Sequence, residues 1–216
     1  MLWPYWMLVA ALALGIGNVR SVVRALERSA GATPAEIVMT ADPDVVRRAD
    51  VIVAPGQGAF GSFATAIAQH GMDEALREAV RAGKPYFGIC LGLQVLFETS
   101  AESTESAGLG ILAGRVERLD PGSDLATGRP YALPHMGWNR AEPTRSGVVT
   151  GDHYYFAHTF AAVPADERCV LARTTYGATS FVSAIEHENM LGIQFHPEKS
   201  QRAGLAILER FFQRAR

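Results

Sequence analysis

Lysine, cysteine and long runs of charge are scarce in this chain. Among 20 basic residues only Lys84 and Lys199 are lysines; with so much alanine this reads as genome base composition rather than as function. No basic run exceeds the pair Arg47-Arg48, and the net charge is −2 with a pI of about 6.3. A nucleic-acid surface is therefore not expected. The two cysteines, Cys90 and Cys169, cannot build a disulfide framework. Their sparse use fits a cytoplasmic protein whose thiols stay reduced. No Cys-x-x-Cys or Cys/His cluster points to zinc, so no metal site is expected. At 48% hydrophobic residues and low net charge, disorder is excluded as the dominant state. A chain of 216 residues fits one domain that buries about 70% of its unfolded surface without disulfide or metal staples.

A full membrane span is also missing. Residues 1–17 carry no charge, but Pro4, Gly15 and Gly17 interrupt them short of the roughly 20 apolar residues a spanning helix needs. No basic segment precedes them as in a signal peptide. The reading preferred is a fully buried strand, Leu8 to Leu14, continuously apolar as in parallel sheets. Residues 1–6 are then an extension with no assigned place, and a single domain is expected over 7–216.

After this strand, Val19, Val22, Val23 and Leu26 recur at i, i+3, i+4 and i+7 and predict a helix over Asn18–Ser29. Strands are predicted at Glu36–Thr40, Val51–Val53 and Tyr86–Ile89, and helices at Asp73–Ala82 and Leu91–Glu98. This alternation argues for a parallel sheet flanked by helices. The second half reads differently. Ile111–Leu119, Tyr154–Phe160, Cys169–Tyr176, Phe181–Glu186 and Leu191–Phe195 read as strands between turn residues, before a last helix at Ala203–Phe212. Ser100–Ser106 reads as a charged surface loop.

Three segments could carry chemistry. Gly88-Ile89-Cys90-Leu91-Gly92 has the form of a nucleophile elbow, a tight strand-to-helix turn that exposes its central side chain. A cysteine at a helix N-terminus favours the thiolate, and the N–H of Leu91 points where an oxyanion would form. Alone, the segment is equally a buried cysteine in a tight turn. In His196-Pro197-Glu198, residues i and i+2 share a side, so the carboxylate can orient the imidazole. Alone, this is more often a surface pair. Pro55-Gly56-Gln57-Gly58 can present backbone N–H groups to an anion, and is weak by itself. All three fall at or just beyond the ends of predicted strands, the edge where α/β sheets bind ligands. Together they indicate a cysteine-dependent acyl-transfer enzyme built on Cys90, His196 and Glu198.

At this point the chain resembles the class I glutamine amidotransferases, from about Leu8 to Arg216. The class motifs are GICLGLQVLFE (88–98), PGQGAFG (55–61) and GIQFHPEKS (192–200). Within the class it is similar to the glutaminase subunits of imidazole glycerol phosphate synthase, through GIGNVRSVVRALE (15–27), PHMGWN (134–139), YFAHTF (155–160) and HPEKSQRAGL (196–205). The resemblance implies an α/β fold of that class, a mostly parallel central sheet with added antiparallel strands in the C-terminal half. It implies Cys90 as nucleophile, His196 as general base and acid, and Glu198 as its orienting carboxylate. Leu91 with Gln57 and Gly58 would form the oxyanion hole, and Gly56, Gln94, His158 and Thr159 the substrate pocket. No cofactor is implied.

The implied partner is a separate cyclase chain, a (β/α)₈ barrel of roughly 250 residues. It would use the ammonia to make imidazole glycerol phosphate and aminoimidazole carboxamide ribonucleotide. Asn18, Met136, Trp138 and Asn139 would face it. The chain departs from the family pattern at Ala13-Leu14, where Asp-Tyr is usual, and at Gln57, where the loop often carries valine. Competing readings are the glutaminase subunit of another class I amidotransferase, a catalytically idle binding module, a free-standing γ-glutamyl hydrolase, and an anchored protein.

Overall fold

The structure is a computed structural model that describes residues 6–31 and 34–215. The expected extension lies outside the described residues apart from Trp6, which is exposed. In chain order the strands are β1 (Met7–Leu12), β2 (Ala35–Thr40), β3 (Val51–Gly56), β4 (Tyr86–Cys90), β5 (Thr99–Ser100), β6 (Gly114–Arg118), β7 (His135–Arg140), β8 (Glu142–Pro143), β9 (His153–His158), β10 (Phe160–Pro164), β11 (Val170–Tyr176), β12 (Thr179–His187) and β13 (Met190–Ile193). The helices are α1 (Val19–Ala30), α2 (Pro43–Arg48), α3 (Phe60–Ala68), α4 (Met72–Arg81), α5 (Leu91–Gln94) and α6 (Gln201–Arg214).

The main sheet has eight strands in the order β2-β1-β3-β4-β13-β12-β11-β8. From β2 to β13 neighbours run parallel; beyond β13 they are antiparallel. Side chains alternate across it, as the two-residue period of a strand requires. Ala10, Leu12, Ile52 and Ala54 pack with α2, α3 and α4 on one face. Met7, Val9, Val51 and Val53 pack with α1 and α6 on the other. With both faces covered, the central strands are apolar throughout. α1 begins at Asn18, whose Oδ1 accepts from the Ser21 N–H at 3.3 Å, and ends at Gly31.

Register sets the working edge. Gly56 on β3 lies beside Cys90 on β4, and Ile89 lies beside both Pro55 and Ile193. Three parallel strands therefore end side by side, and each runs on into one of the three segments singled out above.

Several elements differ from expectation. The helix expected over Leu91–Glu98 ends at Gln94. The N–H groups of Leu96 and Phe97 turn to Leu93 O and Gln94 O, three residues back, and that of Glu98 to Gly114 O, which breaks the i→i+4 ladder, while the carbonyls of Val95–Glu98 pair with the N–H groups of residues 108–112. For the same reason the strand expected over Ile111–Leu119 shortens to β6: the N–H groups of Ile111 and Leu112 both go to Leu96 O. Tyr154–Phe160 divides into β9 and β10, because the chain leaves β7 and joins β6 at Thr159. The PHMGWN segment, which lies in no predicted strand, forms strand β7 from His135 onward. Helices α2 and α3 went unpredicted. α3 has no cap from its own start; the Glu102 carboxylate accepts from the Phe60 N–H at 2.9 Å. Among the described residues no helix is long and apolar enough to cross a membrane.

α6 is held against the 196–200 turn by a close backbone approach. A Cβ on Gly204 would stand 2.0 Å from the Pro197 carbonyl oxygen. Gly204→Ala is expected to cost about 1–3 kcal/mol as an overpacked contact, read as a lower urea midpoint at unchanged m-value.

Candidate active site

Cys90 is the last residue of β4 and precedes the single turn of α5. Its backbone has φ 54 and ψ −105, a conformation that costs a side-chain-bearing residue roughly 1–3 kcal/mol. Its neighbours make the turn sterically possible. A Cβ on Gly88 would stand 2.4 Å from Gly92 O, and one on Gly92 would stand 1.8 Å from Ala54 O. The Tyr86 hydroxyl donates to Gly92 O at 2.7 Å and ties the far side of the turn to β4.

His196 follows β13. Its Nδ1 is 2.9 Å from Glu198 Oε1, and both side chains are buried, 3% and 4% exposed. The second ring nitrogen, Nε2, is buried with no hydrogen-bond partner. Burial pulls the His196 pKa down. Hydrogen bonding and charge from Cys90 and Glu198 outweigh that, and the pKa stands at about 9. The backbone of His196 is clamped as well. Its N–H donates to Tyr155 O at 2.9 Å, and its carbonyl accepts from the Ser200 hydroxyl at 2.6 Å.

A cavity of about 320 Å³ opens beside Cys90. Its walls include Gln57, Gly58, Leu91, Gln94, His158 and Thr159 from the predicted set. Leu91 begins α5, so its N–H has no partner within the helix. Gln94 spends both amide protons, on Phe160 O and Gln194 Oε1, each at 2.9 Å, and its buried Oε1 is left without a partner.

Other expected residues lie elsewhere. Gly56 is not on this wall; it is packed beneath, where a Cβ would meet Leu91 and the Phe63 ring at 2.7 and 2.8 Å. It borders a smaller cavity with Asn18, Gln57, His196 and Glu198. Met136 and Trp138 are 66% and 48% exposed on one side of β7. Asn139, expected to face a partner, turns its amide inward to His135 and Thr175 O. His153, at the opposite end of β9 from His158, is exposed and does not line the cavity. The other cysteine, Cys169, is buried, with its thiol pushed up to about 11 by desolvation and then by Asp166 and Glu167.

Sequence reasoning missed three residues. Gln194 is fully buried and donates to Cys90 Sγ at 3.5 Å. Its position two before His196, in an otherwise apolar strand end, was the available signal. Glu102 lines the cavity from the segment read as a surface loop, and nothing local marks it. His135 is buried against His158, Nδ1 to Nε2 at 3.3 Å. Among the described residues no group of three or more His, Cys, Asp or Glu side chains is placed to hold a metal ion.

A model of the class-I glutamine amidotransferase family matches residues 14–215. The imidazole glycerol phosphate synthase subunit HisH of Nostoc punctiforme is 40% identical over 214 residues, covering 96% of each chain. The corresponding subunit of Aquifex aeolicus is 44% identical over 206 residues, 93% of this chain and 94% of that one. A solved glutamine amidotransferase superposes with a TM-score of 0.70 at 25% identity, over 96% of this chain and 97% of the other.

Burial drives the pKa of His135 down to about 4 and that of His158 to about 3. Both are neutral in the folded protein, while the unfolded chain takes up protons below the ordinary value of 6.5. Their stability contribution is complete above pH 6.5 and is lost as pH falls, by up to about 1.4 kcal/mol per pH unit for each ring. Urea midpoints are expected to drop from pH 6.5 toward 4, with a shallower slope in His158→Gln.

Proposed function

The chain belongs to the class-I glutamine amidotransferase family, and from that membership and the site geometry we propose that it is the glutaminase subunit of imidazole glycerol phosphate synthase, acting in histidine biosynthesis. The observation that carries the proposal is the buried His196–Glu198 pair acting on Cys90, with Cys90 on the wall of a cavity that Gln57, Gly58 and Leu91 also line.

The chemistry follows from the arrangement. His196 takes the Cys90 proton, and the sulfur attacks the side-chain amide carbon of glutamine. The developing oxyanion lies toward the Leu91 N–H and the N–H groups of the Gln57–Gly58 loop. A His196 pKa of about 9 keeps the imidazolium protonated at neutral pH, ready to hand its proton to the departing nitrogen. The C–N bond breaks, ammonia leaves, and a γ-glutamyl thioester remains on Cys90. His196 then removes a proton from water, whose attack on the thioester releases glutamate and restores the thiol. Glu198 holds Nδ1 and leaves Nε2 free for these transfers. The Glu102 carboxylate on the cavity wall suits the α-ammonium of the substrate.

The ammonia passes, on this reading, to a separate cyclase subunit in the cytoplasm. Met136 and Trp138, two of the exposed large apolar residues, share one side of β7 and suit such a contact. The relatives' names and their near-complete coverage support this assignment over the other subunits of the class.

The test is glutamate release from glutamine by the chain alone, then with the host's cyclase and its ribonucleotide ligand. Low activity alone and a large rise in the complex are expected, abolished by Cys90→Ala. Full activity alone identifies a free-standing hydrolase instead, and none in either condition an idle module or another partner. The kcat/KM for glutamine is expected to fall as pH rises through about 9, where His196 gives up its proton. An alkaline limb unchanged in position when Glu198 is replaced by glutamine would contradict that assignment.

A further inference from the structure

His135 and Asn139 have no part in the chemistry above, yet they begin a run of hydrogen bonds that ends at the catalytic sulfur. Every direction in the run is determined by its fixed ends. The Phe160 carbonyl can only accept, so the His158 Nδ1 that stands 2.9 Å from it carries the proton. His158 is neutral, so its Nε2 is bare and accepts from His135 Nδ1 at 3.3 Å. His135 is neutral too, which leaves its Nε2 bare and accepting from Asn139 Nδ2 at 3.3 Å. The orientation of the Asn139 amide is settled independently. Nδ2 donates to Thr175 O at 2.9 Å, and Oδ1 accepts from the Arg140 N–H at 2.8 Å. Beyond Phe160 O, the run continues through Gln94 Nε2, Gln194 Oε1, Gln194 Nε2 and Cys90 Sγ.

We propose that Asn139 is a positioning residue for glutamine hydrolysis, selecting single tautomers of His135 and His158 and thereby holding the Phe160–Gln94 wall of the substrate cavity. This rests on the function proposed above. Two features set the run apart from ordinary core packing. Its far end is the strand whose outer side carries exposed Met136 and Trp138, so whatever seats on β7 lies one residue from the amide that sets the tautomers. Its near end is the cavity wall at Gln94, whose buried Oε1 has no hydrogen-bond partner. His135 is also stacked on Tyr176, ring centroids 4.1 Å apart, so its ring plane is held and only its proton is left to choose.

The experiment has two arms. Long-range ¹H–¹⁵N spectra of the full chain read ring protonation directly. The expected state is Nδ1 protonated and Nε2 bare on both His135 and His158. Asn139→Asp, which has no donor, is expected to put a proton on Nε2 of His135. In the complex with the cyclase, Asn139→Leu is expected to raise KM for glutamine about tenfold, the effect of one lost wall hydrogen bond, with kcat within about twofold of wild type.

A proton on His135 Nε2 in the wild-type chain overturns the proposal. So does an Asn139→Leu protein that is merely less stable, with KM unchanged. If the Leu variant does not fold, the wild-type and Asp spectra decide. If the wild-type complex hydrolyses no glutamine, the proposed function fails, and the tautomers alone judge the run.

Discussion

Cys90 occupies a backbone conformation that a residue with a side chain resists, and the surrounding structure is organised to hold it there. Gly88 and Gly92 clear the space in which β4, α5 and β3 meet, and the Tyr86 hydroxyl holds the turn from behind. β3 and β13 flank β4 in parallel register, so that the Gly56–Gly58 loop and the His196 segment leave the sheet at its level. Shifting either neighbour by one residue would swap its faces and carry its loop away from the sulfur.

The thiol does not rely on a long helix. α5 is a single turn, and its dipole is correspondingly small. The compensating element is His196, held as an imidazolium by Cys90 and Glu198 in a buried pocket. A short distance away, His158 and His135 feel the same burial without a carboxylate, and desolvation drives them the other way. Similar rings in one region thus titrate in opposite directions: one is held protonated beside a carboxylate, and two stay neutral against one another.

Much of the site was readable along the chain because its parts are local. G-x-C-x-G, HPE and PGQG are each short segments whose chemistry depends on neighbours one or two residues away. The parallel half of the sheet was equally readable, since strands buried on both faces are continuously apolar. Gln194, Glu102 and His135 were not, because each acts through a residue distant in sequence. Gln194 acts through Cys90, Glu102 through the α3 N-terminus and the cavity, and His135 through His158. The β7 segment was obscured by Gly137, which reads as a turn until pairing with β9 shows otherwise.

Periodicity and motif spacing alone were enough for the class of fold and for picking out Cys90, His196 and Glu198, because hydrophobic alternation and tight turns are properties of contiguous residues. The length of α5, the division at Thr159, the inward turn of Asn139 and the tautomer of each buried histidine were decided only in three dimensions. Each depends on which distant N–H or carbonyl claims a polar group once water has been excluded.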